Sequence, residues 1–131
     1  MPSIFSRIIA GEIPCYKIAE DERFFAFLDI NPLMEGHTLV IPKEEKDYLF
    51  DYDEQTVADI MRFARRIAVA QKKVIPCARV AVAVLGMEVP HAHVHLVPIQ
   101  SEKDMLFSNP KKTFTPEQMA DIAERIRTAL D

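Results

Sequence analysis

The sequence predicts an α+β fold, a five-stranded antiparallel sheet with two main helices. Five short β-rich runs, most of them joined by connections short enough for hairpins, supply the strands. Two stretches of helical periodicity supply the helices, and only one of them lies within the strand region. A parallel, flavodoxin-like sheet would need a crossover helix between most strands, so the antiparallel arrangement is preferred. A chain of 131 residues can bury one core but not two, and a single domain over residues 1–131 is expected.

The elements follow in order. Ile4 to Ile9 is apolar around Ser6 and Arg7 and is followed by Gly11, which suits a short helix ended by a glycine. Tyr16 to Glu20 and Phe24 to Ile30 read as strands of a hairpin, although the turn at Asp21-Glu22-Arg23 lacks glycine. After Asn31-Pro32, His37 to Pro42 reads as a third strand bounded by Gly36 and Pro42. Asp53 can cap a long helix whose apolar stripe is Val57, Ile60, Met61, Ala64, Ile67, Ala68 and Val74, ended by Pro76. Arg79 to Leu85 alternates Val with Ala and is apolar on both sides, which predicts a central strand covered on both faces. His91 to Pro98 is the fifth strand. Thr115-Pro116-Glu117-Gln118 combines a threonine cap, proline at the first helical position and a capping-box glutamine, opening a helix through Leu130.

Composition narrows the function. The chain is 49% apolar and 27% charged, the balance of an ordinary folded protein. A net charge of −4 argues against a nucleic-acid partner, whose binding rests on clustered Lys and Arg. The pairs Arg65-Arg66, Lys72-Lys73 and Lys111-Lys112 read as solvated faces. Met1 to Pro14 holds no hydrophobic run of signal-peptide or membrane length, so a cytoplasmic location and no membrane partner are expected. Cys15 and Cys77 signal neither a disulfide framework nor a cysteine metal site, and buried reduced thiols are expected.

Three of the four histidines fall in His91-Ala92-His93-Val94-His95. Alternate strand residues share a face, so the three imidazoles line one side while Ala92, Val94 and Leu96 pack on the other. A stripe of exposed strand residues is the bland reading, and strict period two speaks against coincidence. A metal site is the rival. At about 3.3 Å per residue the backbones of His91 and His95 lie roughly 13 Å apart, whereas zinc needs nitrogens about 2.1 Å from one point. All three cannot easily ligate one ion, although two of them with a ligand from elsewhere could. A neutral imidazole is also a nucleophile and a protonated one donates to anions, so a row of them can divide the work of attacking and holding a phosphate.

With these residues in view the sequence resembles the histidine triad, or HIT, family of nucleotide-binding proteins, whose signature is His-x-His-x-His followed by two apolar residues. The resemblance runs from Ile4-Phe5 through Gly11-Glu12-Ile13-Pro14, Phe27 to Pro32 and Gly36 to Lys43 to the triad, about residues 3 to 98. It implies a nucleotide hydrolase or transferase that binds a purine nucleotide, needs no cofactor or metal, and is usually a homodimer sharing one ten-stranded sheet. Cleavage would fall at the α-phosphate of a nucleoside phosphoramidate or dinucleoside polyphosphate. By position His93 resembles the nucleophile, His91 and His95 its phosphate-contacting neighbours, and His37 the fourth histidine behind them. Asp29 resembles the carboxylate that takes the ribose hydroxyls, with a strand-end turn cap as the alternative. Phe5, Ile8, Phe27 and Ile30 align with the apolar slot for the base, and each could equally be core.

The chain departs from the family's pattern at three places. Ser3 and Ser6 stand where many bacterial members have zinc-binding cysteines, and Glu45 where a zinc-binding histidine often lies. Hydroxyls are poor ligands beside thiolates, so absence of that zinc is expected. Gly86-Met87-Glu88-Val89-Pro90 replaces a longer polar loop that contacts the phosphate and leaving group. Glu88 accepts hydrogen bonds but gives none when ionised, so it either points away or selects a cationic or amine-bearing leaving group. Ile99 stands where many relatives have Arg, which weakens the case for long polyphosphates, with Lys17 and Lys43 as possible compensation. A nucleotide sensor or partner-binding module without efficient chemistry is the alternative function.

Overall fold

The computed structural model describes residues 2–131. Ser3 opens α1 (Ile4–Ile9) by accepting the amide of Ser6 on its hydroxyl, and Gly11 closes it at φ +81°. β1 (Lys17–Glu20) and β2 (Phe24–Leu28) form the expected hairpin, and its turn needs no glycine because Asp21 Oδ1 accepts the amides of Arg23 and Phe24. β3 (Thr38–Pro42) pairs antiparallel with β2. Asp53 caps α2 (Glu54–Val74). β4 (Arg79–Ala83) and β5 (Val94–Ile99) follow, then α3 (Pro116–Ala129), whose Thr115–Gln118 capping box is formed in both directions. Single turns of 3-10 helix at Leu49–Asp51 and Glu102–Met105 are additions to the expected elements.

The five strands make one antiparallel sheet in the order β1-β2-β3-β5-β4. Strand alternation sorts its side chains into two apolar layers. Phe24, Ala26 and Leu28 of β2, Val40 of β3, and Val94 and Leu96 of β5 meet Ile60, Phe63, Ile67, Ile122 and Ile126 of α2 and α3. The alternate residues Phe25, Phe27, Leu39 and Ile41 face the other way and pack with Phe5 of α1. Gln71 is fully buried in α2 and donates to the carbonyls of Gly36 and Leu96, tying the helix to β3 and β5.

The sheet order corrects one expectation. β4 lies at the edge rather than the centre, and Val82, Val84 and Leu85 in and beyond it are 50%, 41% and 51% exposed. Val–Ala alternation reads the same whether a strand is covered by its own helices or left bare at an edge, which is why composition misplaces it. Among the described residues no helix is long and apolar enough to cross a membrane.

Candidate active site

The ladder of β5 begins at Val94, three residues later than the sequence suggests. Just before it the amides of His91 and Ala92 bond to the carbonyls of Val89 and Lys46, so this stretch is pinned to loops instead of to β3. Alternation still holds through this stretch. Val94 and Leu96 enter the helix-side core, while His93 and His95 turn to the opposite face with ring centroids 4.9 Å apart. Phe5 stands edge-on to both His91 and His93, at 5.8 and 5.0 Å, so the triad shares one side of the sheet.

Backbone partners fix which nitrogen of each ring carries the proton. A carbonyl can only accept, so the 2.7 Å contact from His93 Nδ1 to the carbonyl of His91 puts the proton on Nδ1 and leaves the lone pair on Nε2. The Leu33 amide donates to His37 Nδ1 at 3.0 Å, so His37 carries its proton on Nε2 and directs it at His95 Nδ1, 2.9 Å away. His95 therefore holds its own proton on Nε2. Burial, and then the nearby His95, hold His37 down at about 3, and burial takes His95 to about 4, so both rings are neutral at physiological pH.

A cleft of about 250 Å³ opens over these rings, lined by His37, His93 and His95, by Asp29 and Asn31 after β2, by Leu85 to Glu88, and by Phe107 and Lys111. Asp29 Oδ1 accepts the Asn31 amide at 2.8 Å, the turn cap anticipated as its alternative role, and Oδ2 lies 3.6 Å from His37 Nε2. Desolvation raises the Asp29 carboxyl above its usual range, against the Asn31 amide and the nearby His93, with Glu88 adding a smaller push upward. A larger depression of about 630 Å³ beside α3 is a shallow surface feature whose Arg125 is already paired with Glu35 and Asp121.

His91 does not reach this cleft, which corrects its expected contact with phosphate. Its ring is fully buried, with Nε2 on the Pro42 carbonyl and Nδ1 against the Ser3 hydroxyl, each at 2.7 Å. Ser3, Ser6 and Glu45, which the sequence marked as a vacated zinc position, meet at this same ring. Of the apolar slot, Phe5 and Phe27 are core residues in edge contact, Ile8 packs against them, and Ile30 stands apart at 71% exposure. Glu88 is exposed at the cleft wall.

Lys111 is exposed, as its sequence context suggests, and it also lines the cleft, with its ammonium held by the carbonyls of Phe107 and Asn109. Phe107 packs edge-on against His95 at 4.8 Å. Sequence reasoning missed both roles, and the available signal was Phe107, an aromatic in the largely polar stretch between β5 and α3.

Asp29, His37 and His95 each offer a ligand atom within 4.8 Å of the others. The donor set does not suit a metal ion. The Leu33 amide occupies Nδ1 of His37, so the nitrogen facing the other two carries the ring proton, and binding there would require an imidazolate.

Residues 10–102 match the sequence profile described as the HIT domain. The chain is 39% identical over 104 residues to the adenosine 5'-monophosphoramidase HNT1 of Saccharomyces cerevisiae, covering 79% of this chain and 66% of that one. It is 32% identical over 136 residues to the adenosine 5'-monophosphoramidase hnt1 of Schizosaccharomyces pombe, covering 99% of each. Among solved structures, a Hit-like protein involved in cell-cycle regulation from Bartonella henselae superposes with a TM-score of 0.83 at 33% identity, over 98% of this chain and 96% of that one.

Proposed function

Because this chain belongs to the histidine triad (HIT) family, we propose that it is a nucleotide hydrolase or transferase that acts through a covalent intermediate on His93. The bond cleaved is at the α-phosphate of a purine nucleoside phosphoramidate or dinucleoside polyphosphate. The two yeast relatives, named for action on adenosine 5'-monophosphoramidate, favour the first. The observation that carries the reading is the anchoring of His93 Nδ1 on a backbone carbonyl, which leaves the Nε2 lone pair for the cleft.

In this reading Nε2 of His93 attacks phosphorus and the N–P bond forms as the bond to the leaving atom breaks. His95 Nε2–H donates a hydrogen bond to the departing amine or oxygen, which leaves with a proton taken from solvent, and His93 becomes cationic as it bonds phosphorus. Water then attacks phosphorus and gives its proton to solvent as the N–P bond breaks, which frees neutral His93. Asp29 takes the ribose hydroxyls on Oδ2, and Ile8 with the edge of Phe5 offers apolar surface to the base. Glu88, on the wall beside His93, favours an amine-bearing leaving group.

The proposal includes a homodimer joined along β4, supported by the apolar edge of Val82, Val84, Leu85 and Met87. His93→Ala tests the chemistry. It is expected to abolish turnover of a nucleoside phosphoramidate while nucleotide binding, measured by titration, survives. A variant that cleaves at near the parent rate contradicts the assignment, and a parent protein that binds without cleaving is a sensor.

A further inference from the structure

Resting on that reading, His93 attacks efficiently only while its proton stays on Nδ1, and the group that holds it there is the peptide between His91 and Ala92. That peptide is gripped on both sides: its carbonyl accepts from His93 Nδ1 and its amide donates to the Lys46 carbonyl, at 2.7 and 2.8 Å. The chain around Lys46 is itself held by Tyr52, whose hydroxyl accepts the Lys46 amide at 3.0 Å and donates to the Glu44 carbonyl.

Glu45, between those two residues, points at α1. Its Oε1 accepts both the Ser3 amide, at 2.7 Å, and the Ser6 hydroxyl, at 2.6 Å. With its own amide so fixed, Ser3 places its hydroxyl 2.7 Å from His91 Nδ1, while His91 Nε2 donates to the Pro42 carbonyl. The same helix carries Phe5 against the His93 ring. One acceptor atom, well outside the cleft, therefore sets the helix that walls the His93 ring and the His91 ring whose carbonyl orients it.

We propose that Glu45 is a positioning residue for the attacking histidine, acting as a hydrogen-bond acceptor that locks α1 and His91 so that His93 keeps its lone pair on Nε2. Its role depends on the acceptor oxygen. An amide oxygen in the same place can accept the same two bonds, whereas a methyl group cannot.

Glu45→Ala and Glu45→Gln separate this from a mere charge or packing effect. The measurements are kcat and KM with adenosine 5'-monophosphoramidate, and the side-chain nitrogen NMR spectrum of His93, with thermal unfolding to establish that both variants are folded. Glu45→Ala is expected to lower kcat roughly ten- to a hundredfold, the range for losing a supporting hydrogen bond beside a reacting group, with KM within about twofold. Its His93 ring is expected to populate both tautomers, while Glu45→Gln keeps the single parent tautomer and most of the activity. The proposal is overturned if Glu45→Ala retains the parent tautomer and kcat, or if Glu45→Gln falls as far as Glu45→Ala. Should the parent protein cleave neither a nucleoside phosphoramidate nor a dinucleoside polyphosphate, the functional reading fails by itself, and the tautomer comparison still decides the positioning claim.

Discussion

At the scale of single residues, the site is a set of proton positions dictated by backbone groups. His37 shows the energetic consequence. Its ordinary value near 6.5 falls to about 3 in the folded chain, chiefly through burial, so the unfolded chain binds the proton more readily than the folded one. A depressed histidine contributes no penalty above its unfolded value and destabilises progressively as pH drops toward its folded value. His95, taken to about 4, and His91, lowered by its own burial, act in the same direction, while the raised carboxyl of Asp29 acts against them. Urea unfolding is expected to show stability falling between pH 7 and 5 by on the order of 2 kcal/mol for each of His37 and His95. Replacing His37 with Gln should flatten that slope, and a pH-independent parent contradicts the neutral pair. The period-two spacing exposed the three triad rings in the sequence, but not that His91 faces inward. That difference depends on Ser3 and Pro42, distant partners that no local pattern encodes.

Elements with local signals were legible. The Thr115–Gln118 box and the Asp53 cap lie within a few residues of the amides they satisfy, so their helices begin where the sequence suggests. Elements whose meaning depends on neighbours were not, and β4 is the clearest case, since its Val–Ala run says nothing of whether another strand lies beside it. The turn into β3 shows how element geometry reaches the site. Gly36 sits at φ +87° immediately before His37, and an added Cβ would lie 3.1 Å from Ile75 Cγ1 after α2. Gly36→Ala is expected to destabilise the protein by about 1 to 3 kcal/mol through backbone strain and crowding. A shift below a few tenths of a kcal/mol in urea unfolding would mean that this turn adapts freely.

At the scale of the molecule, the cleft is assembled from chain segments that meet only after folding. Asp29 follows β2, His37 precedes β3, His93 and His95 flank the start of β5, and Lys111 returns from the segment before α3. The Lys111–Lys112 pair is legible as surface charge, and Lys111 is exposed, but the sequence does not show the return of the chain that brings Lys111 to the cleft. The bare edge of β4 gives the molecule a second large-scale feature. Val82→Lys puts a charge at the centre of the proposed dimer seam. Sedimentation is expected to find the parent as a dimer and the variant as a monomer, and a monomeric parent contradicts the seam.

The account turns on the Nε2 lone pair of His93 facing a bound phosphorus atom. A crystal soaked with adenosine monophosphate tests this directly. The expected result is phosphorus about 3 to 3.5 Å from His93 Nε2, with a non-bridging oxygen on His95 Nε2 and the ribose hydroxyls on Asp29. A nucleotide bound with its phosphate away from His93, or a His93 ring turned so that Nδ1 faces the phosphate, would contradict it.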